Sequence, residues 1–200
     1  MPLALLGQGT FQNLNFEAAI QPLDPQDPNG VPASNAIPSW TFFTSPIYYN
    51  TIALGGAGLS LHDMNSLAFQ PLQGNYSFFI QGSAAGPPVS AAIGQTGQIP
   101  AGSLSLRFWA FPASNLQVTF GGAIIPIFRL ASTANYDVFG GDVSMFAGQT
   151  AELRFTGLAN SGGYFDNIFF SSQSIPEPSA LSILGLGAIL VGRWFLRKRS

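Results

Sequence analysis

Three stretches of the chain alternate apolar and polar side chains: Leu104-Ser105-Leu106-Arg107-Phe108, Leu116-Gln117-Val118-Thr119-Phe120 and Ala151-Glu152-Leu153-Arg154-Phe155. Successive side chains of an extended strand point to opposite faces, so each stretch carries one apolar row and one polar row. Similar short patterns cover residues 11–17, 39–43, 47–54, 59–63, 75–81, 89–95, 104–111, 116–120, 124–130, 136–139, 151–155 and 164–170. Short strands separated by turn signals predict an antiparallel β-sandwich. Gly121-Gly122 supplies a two-residue hairpin turn. Segment 142–148 has room for one helical turn. Residues 21–35 carry Pro22, Pro25, Pro28 and Pro32 and read as a loop, as does the small-residue stretch 82–88. Both read first as ordinary connections, with the alternative that they rim a binding surface. No internal repeat of solenoid or propeller length is visible.

Composition agrees with this. Charged residues make up 8% of the chain, against about 25% in an ordinary domain. The 18 phenylalanines, 23 glycines and 15 prolines suit a turn-rich domain with an aromatic core and argue against disorder. Residues 1–175 have a charge balance of −5, whereas 176–200 have +3. The body thus offers no basic surface for nucleic acid. The only lysine is Lys198, which excludes a Walker-type phosphate loop, a Schiff-base lysine and a lysine–asparagine isopeptide from the body. With no cysteine, disulfide and thiolate chemistry are absent. Residues 1–7 are apolar but too short for a signal core. They read either as a buried first strand or, favoured by the tail described below, as the remnant of a signal peptide, with the domain running from 8 to 172.

Candidate chemistry in the body is sparse. His62 is the sole histidine, and its neighbour Asp63 points to the opposite face of a strand. No Gly-x-Ser-x-Gly elbow is present, and no spacing among the acids selects a glycosidase pair. The expectation is a non-enzymatic protein. Asp24-Pro25-Gln26-Asp27-Pro28-Asn29-Gly30 looks like a calcium loop, but its spacing is off by one, prolines interrupt it, and no closing glutamate follows. A better candidate joins the ends of the domain. Glu17 follows Asn15-Phe16, and Asp166 sits in Phe165-Asp166-Asn167-Ile168. First and last strands often lie side by side, and a carboxylate from each would give oxygen ligands suited to a structural Ca²⁺. The alternative is that both are turn or edge residues. Sugar stacking would draw on Trp40, Tyr48, Tyr49, Tyr76, Trp109 or Tyr136. The scattered threonines do not suit an ice-binding array.

The body resembles calcium-bearing jelly-roll carbohydrate-binding modules. The resemblance rests on Asn13-x-x-Phe16-Glu17, on Ala92-Ile93-Gly94-Gln95 followed by Leu104–Ala110, and on Phe165-Asp166-Asn167-Ile168. It implies a jelly-roll-like fold, with Glu17 and Asp166 matching structural calcium ligands.

The tail is the most specific signal. After the polar linker Ser171-Ser172-Gln173-Ser174 comes Ile175-Pro176-Glu177-Pro178-Ser179, which its prolines keep extended. Residues 180–192 are uncharged and mostly apolar; with Trp194, Phe195 and Leu196 they reach about 25 Å as a helix, allowing Arg193 to snorkel. Arg197, Lys198 and Arg199 form a basic end that is retained on the cytoplasmic side. The order of these parts resembles the PEP-CTERM sorting signal, a segment also found in some ice-binding proteins. The resemblance implies that Pro176, Glu177 and Pro178 are recognised by an exosortase, a membrane enzyme that removes the tail. It further implies that 180–196 is a transient transmembrane helix in contact with lipid, 173–179 a linker, and 197–200 a stop-transfer end. The expected destination is the cell envelope or extracellular polysaccharide matrix. The favoured role there is that of a non-enzymatic structural or adhesive protein; the alternative is a carbohydrate-binding module with a defined glycan site. A row of exposed aromatics beside a sheet would favour the second.

Overall fold

The computed structural model describes residues 8–24, 29–52 and 55–175. The period-two segments fold into β1 (Thr41–Phe43), β2 (Ile47–Tyr49), β3 (Gly58–His62), β4 (Ser77–Gln81), β5 (Ala91–Gln98), β6 (Ser105–Ala110), β7 (Gln117–Phe120), β8 (Ala123–Ile125), β9 (Phe128–Ser132), β10 (Asp137–Asp142), β11 (Thr150–Gly157) and β12 (Gly162–Ser171). One sheet has the order β1-β5-β11-β7-β8, the other β2-β3-β4-β12-β6-β10-β9. Every pairing is antiparallel except β2 with β3. Among the described residues, helical content is confined to α1 (Ala33–Ala36) and a 3-10 turn at Ser144–Phe146, the latter inside the segment expected to hold one helical turn.

Alternation decides which rows meet. Ile93, Val118, Phe120, Leu153 and Phe155 point inward from the five-stranded sheet; Leu59, Leu61, Phe78, Ile80, Leu106, Phe108, Phe165 and Phe170 point inward from the seven-stranded one. Phe155 and Phe165 stack across the interface at 4.9 Å, and Phe108 packs edge-on to both. Burying one such ring stabilises the fold by about 1.5–3 kcal/mol. At Gly121-Gly122 the backbone takes φ of 55° and 83° and pairs Phe120 with Ala123, the two-residue turn that fits the twist of a hairpin.

Two expected strands are corrected. Residues 11–17 form turns, not a strand. Their apolar side chains are buried, but the backbone is satisfied piecemeal: Gln12 N–H donates to Gln95 Oε1 at 2.6 Å, and Gln95 Nε2 donates to Gln12 O at 3.0 Å. Asn13 and Phe16 take φ of 50° and 57°, outside the range of regular strand backbone. Phe11 lies flat on Gly97 of β5, where a Cβ would sit 2.6 Å from its ring. Residues 124–130 divide into β8 and β9, with Pro126 in the break, because proline brings no N–H to a ladder. The transmembrane helix expected at 180–196 and the segment 1–7 lie outside the described residues, within which no helix is long and apolar enough to cross a membrane.

Truncating the ring at the centre tests this packing. Phe165→Ala should lower unfolding free energy by about 3–5 kcal/mol, while Ile124→Ala, at an exposed position, should change it by less than about 0.5 kcal/mol. Urea denaturation of both variants measures the contrast.

Candidate functional site

With Leu59, Leu61, Phe78, Ile80 and Phe165 facing the core, alternation puts Ser60, His62, Ser77, Phe79, Gln81, Tyr164 and Asp166 on the outer face of the seven-stranded sheet. The connection 63–76 folds back over this face. Asp63 starts it, accepting hydrogen bonds from Tyr49 Oη (2.5 Å), Asn50 Nδ2 (2.7 Å) and Asn65 N–H (2.8 Å). Burial raises the Asp63 pKa, but these bonds outweigh it and hold the carboxyl below its ordinary value. Ser66 Oγ accepts from the N–H groups of Ala68 and Phe69, and Leu72 N–H donates to Ser77 Oγ at 2.9 Å. The connection is thereby held at both ends, with Phe69 seated on the sheet.

Phe69 stacks on Tyr164 at 4.8 Å and on Phe79 at 5.2 Å. A groove of about 690 Å³ runs beside it, lined by Phe79, Gln81, Phe111, Asn115, Tyr164 and Phe69 itself, with Gly82 and Ala84 of the expected rim loop 82–88 at its border. Phe69, Phe111 and Tyr164 also line a second hollow of about 530 Å³. Phe111 is 46% exposed. The arrangement sets aromatic carbon beside the side-chain amide of Asn115, while Gln81 Nε2 donates to Gly56 O at 2.8 Å.

His62 lies under this aromatic cover. Its Nδ1 is 2.7 Å from Ser66 Oγ, and its ring meets Phe69 and Tyr164 edge-on. Asp63 turns the other way, toward Tyr49 and Asn50, so no orienting pair forms. Among the described residues, Ser60 Oγ, His62 Nε2 and Tyr164 Oη are buried without a hydrogen-bond partner. Burial pushes His62 down to about 4, with nearby Asp63 opposing.

The two carboxylates expected at the domain ends come together. Glu17 and Asp166 line one small cavity of about 130 Å³ with Asn15, Gln73, Gly74 and Asn167. Ile168 N–H donates to Leu14 O at 2.9 Å, joining the early and late segments. The left-handed backbone of Phe16 sends its ring into the core, against Phe78 and Phe165, and releases Glu17 to the surface. Glu17 Oε1 accepts from the N–H groups of Asn75 (2.8 Å) and Tyr76 (3.1 Å). Asp166 Oδ2 accepts from Ser77 Oγ at 2.8 Å. A register shift after Asp166, with Asn167 at φ 47°, marks a bulge in β12. Burial, with Glu17 repulsion adding to it, lifts Asp166 to about 7 against the hydrogen bond from Ser77. Among the described residues no group of three or more Asp, Glu, His or Cys gathers.

Other sequence candidates fall elsewhere. Trp40 and Tyr49 are buried in the core. Trp109 and Tyr136 stack on each other at 4.2 Å away from the groove. Phe69, Phe79, Phe111 and Tyr164 were missed, because Phe69 and Phe111 sit in connections and no local pattern shows which connection covers a sheet. Most of the loop motif from Asp24 to Gly30 lies outside the described residues, as do Pro176, Glu177, Pro178, Arg197, Lys198 and Arg199.

Acid should reveal the buried histidine. Its folded pKa lies below the unfolded value of 6.5, so the unfolded chain takes the proton first and stability is lost as pH falls from about 6.5 to 4. Asp166 acts in the opposite sense between about 4 and 7, so the measurement is a difference. Relative to His62→Gln, the wild type should lose about 3 kcal/mol between pH 7 and pH 4 in urea titrations.

No curated protein matches the chain. In structure it is similar to a cyclase from Fischerella sp. TAU, with a TM-score of 0.47 and 12% identity over 84% of this chain and 97% of that one. It is also similar to a Stig cyclase, Fisc, from the same organism in complex with an indole compound (TM-score 0.49, 12% identity, 82% and 96% covered). A third similarity is to TmCBM61 in complex with beta-1,4-galactotriose (TM-score 0.35, 12% identity, 81% and 97% covered). Residues 174–200 match the PEP-CTERM protein-sorting motif. The chain therefore carries a signal that marks proteins for export to the cell envelope or outer surface and implies recognition by exosortase, a membrane processing enzyme.

Proposed function

We propose that this is an exported protein whose β-sandwich binds a neutral polysaccharide of the envelope or extracellular matrix, without catalysis, in the groove beside Phe69. The observation that carries this reading is the groove itself: Phe111 and Phe69 offer aromatic carbon for pyranose faces, and Asn115 offers an amide for hydroxyl groups. The described lining holds no carboxylate, whereas glycoside cleavage uses a pair of them across the bond. The competing reading, a structural or adhesive protein with no defined sugar site, gives no role to aromatic carbon open to solvent beside an amide. In this proposal residues 180–196 anchor the chain in the inner membrane until exosortase removes the tail, and the domain then passes to the surface or matrix.

Glu17 and Asp166 suit a structural Ca²⁺. Both carboxylates and Asn15 border one cavity, and Asp166 is held near neutrality by burial and by the charge of Glu17, a repulsion that a cation would relieve. Their oxygen chemistry matches a hard divalent ion, with main-chain carbonyls needed to complete six or more ligands. Such an ion would tie the 11–17 segment to β12 and the end of the 63–76 connection, and so brace the face that carries the groove.

A glycan array probed with the purified protein should show binding to neutral oligosaccharides, weakened roughly tenfold by Phe111→Ala. Absence of binding to every neutral glycan, or equal binding by the variant, would sink the groove assignment. Calcium at about 100 times its Kd should stabilise the protein by about 2.7 kcal/mol over EDTA, and Glu17→Gln should abolish the difference in thermal melts.

A further inference from the structure

Ser105 and Arg107 occupy the polar row of β6, the row expected to face solvent, yet they are 0% and 9% exposed. What covers them is the chain just beyond β12. Arg107 Nη2 donates to the carbonyls of Gln173 and Ser174, each at 3.3 Å, and Nη1 donates to Gln173 Oε1 at 3.2 Å. Ser105 Oγ accepts from Arg107 Nε at 3.0 Å and donates to Gln173 O at 2.7 Å. The ion pairs among the described residues, Arg129–Asp137 and Arg154–Glu152, do not involve Arg107. A nearly buried guanidinium is thus committed to main-chain carbonyls, and burial lowers its pKa from the ordinary value. Arginine suits this task because its planar fork meets several acceptors at once.

The residues it holds lie at the start of the sorting motif, which begins at residue 174. We infer that Arg107 is a latch on the sorting tail: it pins Gln173 and Ser174 to the seven-stranded sheet, and the membrane processing enzyme gains full access to Pro176-Glu177-Pro178 only when the latch opens. Contour length supports this. From Ser174 to Ala180, where the apolar run begins, the chain spans at most about 20 Å; from Ser171, the end of β12, it spans about 30 Å. A closed latch therefore takes about 10 Å from the segment the enzyme must grip between a folded domain and the membrane. Processing then proceeds through the open population, and its rate scales with that fraction. The inference rests on the sorting motif and is independent of the glycan reading.

The test follows the ratio of processed to unprocessed full-length chain in a pulse-chase, with the protein co-produced with an exosortase. Arg107→Ala should be processed roughly tenfold faster than wild type, as expected if the latch is open in about a tenth of molecules or fewer. Arg107→Lys should be intermediate, since an ammonium cannot fork across the same acceptors. A Gly/Ser spacer inserted between Ile175 and Pro176 restores reach with the latch closed and should also accelerate processing. Arg129→Ala, which removes an ion pair elsewhere, should behave as wild type. Wild-type rates for both Arg107→Ala and the spacer chain would overturn the latch, as would acceleration by Arg107→Ala alone, because that pattern marks general loosening. Should Arg107→Ala fail to fold, the spacer chain decides.

Discussion

The inward ring of Phe165 is the constraint on which the rest of the molecule depends. It touches Phe16 from the early segment, Phe78 and Phe108 from its own sheet, and Phe155 from the opposite sheet. Because neighbours on a strand face opposite ways, burying Phe165 turns Tyr164 and Asp166 outward. Tyr164 becomes the platform on which Phe69 rests; Asp166 becomes one wall of the carboxylate cavity. A single core contact thus sets the orientation of both outward sites.

The outer face is unusual in how thoroughly it is covered. A sheet with one solvated face would leave its polar row to water. Here the 63–76 connection closes over His62, Ser77 and Tyr164, and the chain beyond β12 closes over Ser105 and Arg107. Loops supply partners to Ser77, Ser105 and Arg107 on this face, whereas Ser60 Oγ, His62 Nε2 and Tyr164 Oη are buried without one. Charged side chains nearby are specific in partner: Asp63 to Tyr49 and Asn50, Glu17 to Asn75 and Tyr76, Arg107 to Gln173 and Ser174.

β12 also separates two tasks. It begins at Gly162, which borders the groove, and ends at Ser171, beside the latch. At about 3.3 Å per residue these points are about 30 Å apart. The sorting tail therefore departs from the end of β12 opposite the Phe69 groove; a second hollow of about 680 Å³, lined by Arg107, Trp109, Phe169 and Gln173, lies at the tail's end. A ligand in the groove and an enzyme on the tail would meet different ends of one strand.

The class of fold, the cleanly alternating strand segments, the Gly121-Gly122 turn and the sorting tail were all legible along the chain. Each is a local property: period two, positive φ at glycine, a run of apolar residues closed by basic ones. Glu17 and Asp166 were expected to meet because first and last strands often lie side by side; they do border one cavity, but through the turns of residues 11–17, tied to β12 by Ile168 N–H and Leu14 O. Residues 11–17 misled for a physical reason. Residues 14–17 alternate as a strand's do, but the Gln95 side chain takes both backbone hydrogen bonds of Gln12, and Asn13 Oδ1 accepts from Ala18 N–H, in place of a partner strand. That Phe69 lies across the outer face, that Phe111 borders a groove and that Arg107 holds the start of the tail were outcomes of long-range packing. Those outcomes depend on where a connection lands after the sheets have formed, and contacts between residues far apart in the chain leave no periodic trace along it.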